Sequence, residues 1–73
     1  MNELMIDIGD GGWLYFKTSA TTAAEAWLCF RNAIEKAGIN DDNVMYTKAI
    51  LRDAIGKDID TFRIDWWLSE KKS

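Results

Sequence analysis

The chain contains no histidine, no proline and only one cysteine, Cys29. Without histidine, Ser–His and Cys–His nucleophile–base pairs are impossible. With one thiol besides, a conventional zinc site is disfavoured. One cysteine also excludes an internal disulfide, and an unpaired thiol fits a reducing compartment. No apolar run approaches the ~20 residues that span a bilayer. No basic segment ahead of a long apolar stretch marks a signal peptide, so a cytoplasmic location is expected. Nine basic residues stand against 12 acidic ones, for a net charge of −3. That balance disfavours non-specific attraction to phosphate backbones, which needs clustered Lys and Arg.

What the chain does have is aromatic mass. Four Trp, two Tyr and three Phe occur in 73 residues, and each ring buries roughly 150–250 Å². The length suits one domain, 1–73, without an internal linker or repeat. So short a domain has a thin core and commonly relies on a disulfide, a metal or a partner chain. The disulfide is excluded and a conventional zinc site disfavoured by composition, which leaves the aromatic core or a partner.

Along the chain, Leu4, Ile6 and Ile8 alternate with Met5 and Asp7, and Leu14 and Phe16 alternate with Trp13, Tyr15 and Lys17. Period two means strands, and Gly9-Asp10-Gly11-Gly12 between them signals a hairpin turn. Two registers compete. A two-residue turn pairs Ile8 with Trp13. A three-residue turn with Gly12 left-handed pairs Ile8 with Leu14, placing Leu4, Ile6, Ile8, Leu14 and Phe16 on one face and Trp13, Tyr15 and Asp7 on the other. The second is preferred, because its inner face is wholly apolar.

Thr22-Ala23-Ala24-Glu25 matches a capping box. Ala23, Ala26, Trp27, Phe30, Ala33, Ile34 and Ala37 then share one helical stripe. Gly38 and Ile39 supply a Schellman ending against Ile34, predicting a helix over Ala23–Ala37 with Leu28 pointing outward. Cys29, at the border of the stripe, is expected to be a buried structural thiol. After the polar loop Asn40–Asn43, Val44, Tyr46 and Ile50 alternate, and Gly56 marks a three-residue hairpin loop. Pairing Arg52 with Asp58 sets Lys48 opposite Phe62, Tyr46 opposite Ile64 and Val44 opposite Trp66. Thr47, Ala49, Leu51, Ile59, Thr61, Arg63, Asp65 and Trp67 then form the outer face. The alternative makes Asn43–Ile55 a second helix ended by Gly56. Asp60–Leu68 reads as a strand in either case, with Lys71 and Lys72 in a frayed tail. The expected class is α+β: ββαββ, a four-stranded, largely antiparallel sheet with one helix across one face, or ββααβ if the second helix forms.

Candidate chemistry is sparse. Asp41-Asp42 and Asp58-x-Asp60 lack the spacing of a calcium loop, and the glycines link two strands rather than a strand and a helix, as a phosphate cradle requires. No cofactor is expected. Trp13, Tyr15 and Trp67 resemble a base-stacking platform, but Lys17 and Arg63 alone do not make the basic groove of a single-strand binder. Direct nucleic-acid binding is therefore disfavoured. Trp66 and Trp67, adjacent on a strand, must face opposite ways, so one indole lies on the outer face. An exposed aromatic cluster of that kind marks an interaction surface. The expected function is a non-enzymatic protein-binding module using Trp13, Tyr15, Leu51, Ile59 and Trp67, with a protein partner or a second copy of the chain as occupant. The alternative is an acidic inhibitor, of the sort phages and mobile elements encode, in which Asp41, Asp42, Asp53, Asp58 and Asp60 imitate phosphates in the basic groove of a nucleic-acid-binding protein.

Overall fold

A computed structural model describes residues 1–71. Four strands and two helices follow one another: β1 Asn2–Asp7, β2 Trp13–Thr18, α1 Ala23–Ala37, β3 Lys48–Arg52, β4 Asp58–Arg63 and α2 Ile64–Lys71. The sheet is open and antiparallel, in the order β2-β1-β3-β4. This is the expected α+β arrangement, ββαββ with α1 on one face, extended by a second helix at the C-terminal end rather than over Asn43–Ile55.

The first hairpin keeps the preferred faces but shifts its register. Ile6 opposes Leu14 and Leu4 opposes Phe16, two residues from the expected pairing. The cause lies in the turn. Gly9, Asp10 and Gly11 take positive φ, at 80°, 51° and 75°, so they form the loop. Gly12 closes it, accepting from the Ile8 amide at 3.1 Å. A two-residue shift leaves side-chain faces unchanged, because the strand repeat is two.

Helix α1 runs over the predicted span. The Thr22 hydroxyl accepts from the Glu25 amide at 3.2 Å. Gly38 is left-handed at φ 68°. Its amide reaches the Glu35 carbonyl and the Ile39 amide reaches the Ile34 carbonyl, the two bonds of a Schellman ending. Asp60 adds a long-range cap, its carboxylate accepting from the Ala23 amide at 2.7 Å. Only the first half of the apolar stripe is sealed: Ala23, Ala26, Trp27 and Phe30 are buried, whereas Ala33 and Ala37 are exposed. Cys29 is exposed too, so the expected buried thiol is corrected.

The larger correction concerns the second half. The three-residue loop forms as expected, with Asp53 and Lys57 bonded across it at 2.9 Å, and Arg52 opposes Asp58. Ile59 is then an extra residue in β4: Leu51 opposes Asp60 and Ala49 opposes Phe62, across a register shift between Leu51 and Arg52. That bulge exchanges the faces beyond it. Ala49 and Leu51 turn inward and are fully buried.

The last ladder pair is Lys48 with Arg63. Val44–Thr47 leaves the sheet, so residues after Arg63 have no strand to pair with. The chain coils instead into α2. The Thr47 carbonyl accepts from the Ile64 and Asp65 amides at 3.0 and 3.1 Å, satisfying donors that a helix start leaves open. The expected strand over Asp60–Leu68 therefore ends at Arg63. Lys71, expected in the tail, is the last residue of α2, and Lys72 lies outside the described residues.

The core lies between α1 and the inner sheet face. Leu4, Ile6, Ala49 and Leu51 meet Ala23, Ala26, Trp27 and Phe30, with Tyr46 and Ile64 at one end. Trp27 is its hub, with ring centroids 5.7 Å from Phe30, 5.0 Å from Tyr46 and 5.7 Å from Trp67.

Candidate interaction surface

Residues alternate across a sheet, so the inward set fixes the outward one. Opposite Leu4, Ile6, Ala49 and Leu51, the outer face presents three rows across the order β2, β1, β3, β4. The central row is Tyr15, Met5, Ile50 and Thr61. One flank is Lys17, Glu3, Arg52 and Asp58; the other is Trp13, Asp7, Lys48 and Arg63. Met5 is buried, yet it does not belong to the core cluster. Tyr15 is 62 % exposed. Among the described residues, the core-packed side chains of both helices lie on the other side, and at the β4 margin of this face Trp66 of α2 lies against Arg63.

The five residues expected to form one site are separated. Trp13 and Tyr15 do sit together on the outer face of β2. Leu51 is at the centre of the core on the opposite face. Ile59, at the bulge in β4, is partly exposed, but three strand spacings from β2, or roughly 14 Å. Trp67 is on α2 and packs edge-on against Trp27, with planes 86° apart. The indole doublet does divide, in the reverse sense and on a helix: Trp66 is the exposed ring, 66 % accessible, with the Arg63 guanidinium 5.6 Å from its centroid. Sequence reasoning missed Ile50, which it assigned to the inner face. Only recognition of the bulge recovers it.

A second apolar feature is the open groove between α1 and α2, about 720 Å³, where Leu28, Ile34, Ile39, Trp67 and Leu68 alternate with Arg31, Asn32, Glu35 and Asn40. Beside it lies a polar knot that ties the loop after α1 to the core. The Asp41 carboxylate accepts from the Arg31 guanidinium and from the Tyr46 hydroxyl, the latter at 2.6 Å. The Tyr46 hydrogen bond, seconded by Arg31 against the cost of burial, holds the Asp41 carboxyl below its ordinary value. Burial first, and the Asp41 carboxylate second, push the Tyr46 phenol up to about 12. Arg31 also stacks over Trp27 and Tyr46, at 5.6 and 5.8 Å. The Trp27 indole nitrogen is buried with no hydrogen-bond partner among the described residues.

The acids are dispersed into structural roles rather than gathered at one end. Asp60 caps α1, and Asp53 accepts from the Ile55 and Lys57 amides in its loop. Asp58 pairs with Arg52 at 2.8 Å, and Asp65 pairs with Arg63 at 2.8 Å. Among the described residues, no three His, Cys, Asp or Glu side chains gather as a metal-ligand set, and no helix is long and apolar enough to cross a membrane. What the surface offers chemically is an apolar stripe framed by charges. No family model matches the chain, and no curated protein or solved structure matches it either.

Proposed function

We propose that this chain is a non-enzymatic interaction module of the cytoplasm that binds another protein through the outer face of its sheet. The observation that carries the reading is Tyr15, exposed on a row with Met5 and Ile50 and beside Trp13, on the face opposite the core-packed helices. Tyrosine and tryptophan are typical anchors of protein interfaces. Mixed charges flanking an apolar centre reproduce the arrangement of an interface core and its polar rim. The absence of a nucleophile–base pair and the internal engagement of Asp41, Asp53, Asp58, Asp60 and Asp65 support a binding role over a catalytic one. The exposed, unpaired Cys29 fits a reducing compartment.

A photo-crosslinking side chain tests the face. It is placed at Tyr15 in one variant and at Leu28, on the α1–α2 groove, in another, each expressed in the cells that make the protein. Adducts from position 15 and none from position 28 are expected. Adducts confined to position 28 would move the docking surface to the groove and overturn the reading.

A further inference from the structure

The outer face carries a charge pattern with a definite symmetry. Reading across β2, β1, β3 and β4, one flank runs Lys17, Glu3, Arg52, Asp58: plus, minus, plus, minus. The other flank has Asp7 on β1 and Lys48 on β3, with Arg63 on β4 across from the uncharged Trp13 on β2. Reflection about the line between β1 and β3 reverses the sign at every charged position except Arg63, which falls on Trp13. A twofold axis along that line, with two sheets face to face, performs this exchange: β1 lies over β3 of the second copy, and β2 over its β4. Glu3 then meets Arg52, Lys17 meets Asp58 and Asp7 meets Lys48, while Met5 meets Ile50 in the centre.

We propose that the partner on this face is a second copy of the same chain, docked sheet to sheet about a twofold axis parallel to the strands between β1 and β3. This rests on the outer face being the docking surface and names its occupant. Two further observations favour face over edge. Strand β4 carries an inward-pointing Asp60 and a bulge, and β2 carries Lys17, features that discourage strand-to-strand addition. A twofold contact must be self-complementary, a demand that six of the seven charges on this face meet, with Arg63 set over the Trp13 ring. Twisted sheets pack about 30° from alignment, so the central contacts of Met5, Ile50, Glu3 and Arg52 stay closest to register and the corners separate. Four strands ~4.8 Å apart and five residues of ~3.4 Å give a footprint of roughly 19 by 17 Å. That is small for a stable interface, which implies a reversible, concentration-dependent dimer at the weak end of the range.

The test uses charge reversal in trans. Glu3→Arg and Arg52→Glu each place like charges opposite one another twice in a homodimer. Each variant alone should dissociate at least ~10-fold more readily than wild type in sedimentation velocity. Mixed in equal amounts, the arginine introduced at position 3 faces the glutamate introduced at position 52, and both remaining native charges find opposite partners, so association should return. A defect within one chain cannot be repaired by mixing, and circular dichroism of each variant verifies folding. Should either variant misfold, Lys17→Glu with Asp58→Lys obeys the same logic at the exposed rim.

A wild type that stays monomeric at several hundred micromolar overturns self-pairing. So does a dimer that both single variants leave intact. The position-15 crosslink separates this failure from that of the parent reading. An adduct to a different protein, with a monomeric wild type, preserves the docking face and removes the second copy as its occupant.

Discussion

The two faces of the sheet are made by the same strands and are finished in different ways. Inside, Leu4, Ile6, Ala49 and Leu51 are fully buried beneath α1. Outside, Met5 and Ile50 hold the centre while Glu3 binds Lys17 at 3.4 Å and Arg52 binds Asp58. Ile50 and Leu51 are sequence neighbours of similar apolarity, yet Leu51 is sealed and Ile50 only half-buried. Burial on this sheet follows what covers a residue, and the outer face has been supplied with a rim instead of a cover.

Substitution at the hub of the covered side should have the largest effect. Trp27→Ala removes a fully buried ring that touches Phe30, Tyr46 and Trp67, and should cost about 3–5 kcal/mol. Leu51→Ala should follow at about 2–5 kcal/mol, both read from denaturant midpoints. A loss near zero at Leu51 would mean that the bulge does not turn it inward.

An intermediate effect belongs to the edge strand that reaches beneath the cover. Asp60→Ala leaves the Ala23 amide without its acceptor and should cost about 0.5–2 kcal/mol, as loss of a helix cap does. Asp60→Asn keeps an acceptor oxygen and should cost less. Equal losses would show that the carboxylate charge, rather than the hydrogen bond, matters.

The polar knot at the end of the core gives the covered side a pH signature. The Asp41 carboxyl is held below its unfolded value. The stability it contributes is therefore present above that unfolded value, near 3.9, and is lost as pH falls through the lower folded one. Asp41→Asn should flatten the acid limb of the stability profile. For Tyr46 the sign is opposite. With its pKa raised to about 12, its contribution is complete below ~10, the unfolded value, and disappears as pH rises towards 12. Tyr46→Phe should flatten the alkaline limb and leave the acid limb shallower as well, since Asp41 loses its donor.

The smallest effect on folding should come from the uncovered face. Tyr15→Ala should change the stability of the dilute monomer by no more than ~0.5 kcal/mol, as surface substitutions do, while weakening association. A folding loss as large as that of Leu51→Ala would erase the distinction between the faces.

These contrasts also explain what was legible beforehand. The first hairpin and α1 are written locally: alternation, a glycine turn, Thr22 at the N-cap and Gly38 at the C-cap each act within a few residues. The end of the chain is not. A single extra residue, Ile59, reverses the faces of Ala49, Ile50 and Leu51, and nothing in the local alternation announces it. The same holds for Ile64–Lys71. Ile64, Trp67 and Leu68 follow the i, i+3, i+4 spacing of a helix, but Phe62, Ile64 and Trp66 also alternate like a strand. The choice is made at a distance, by the departure of Val44–Thr47 from the sheet and by the Thr47 carbonyl waiting for two amides. Of the candidate site, Trp13 and Tyr15 were within reach because they precede the bulge, while Leu51 and Trp67 lie beyond it.

The most direct test of the account is an isotope-filtered NOE experiment on an equal mixture of ¹³C-labelled and unlabelled chains. Docking about the strand-parallel twofold predicts intermolecular cross-peaks between the Met5 and Ile50 methyl groups, absent from either sample alone. Cross-peaks arising instead from Leu28, Ile39 or Leu68 would contradict it, as would none at all at millimolar concentration.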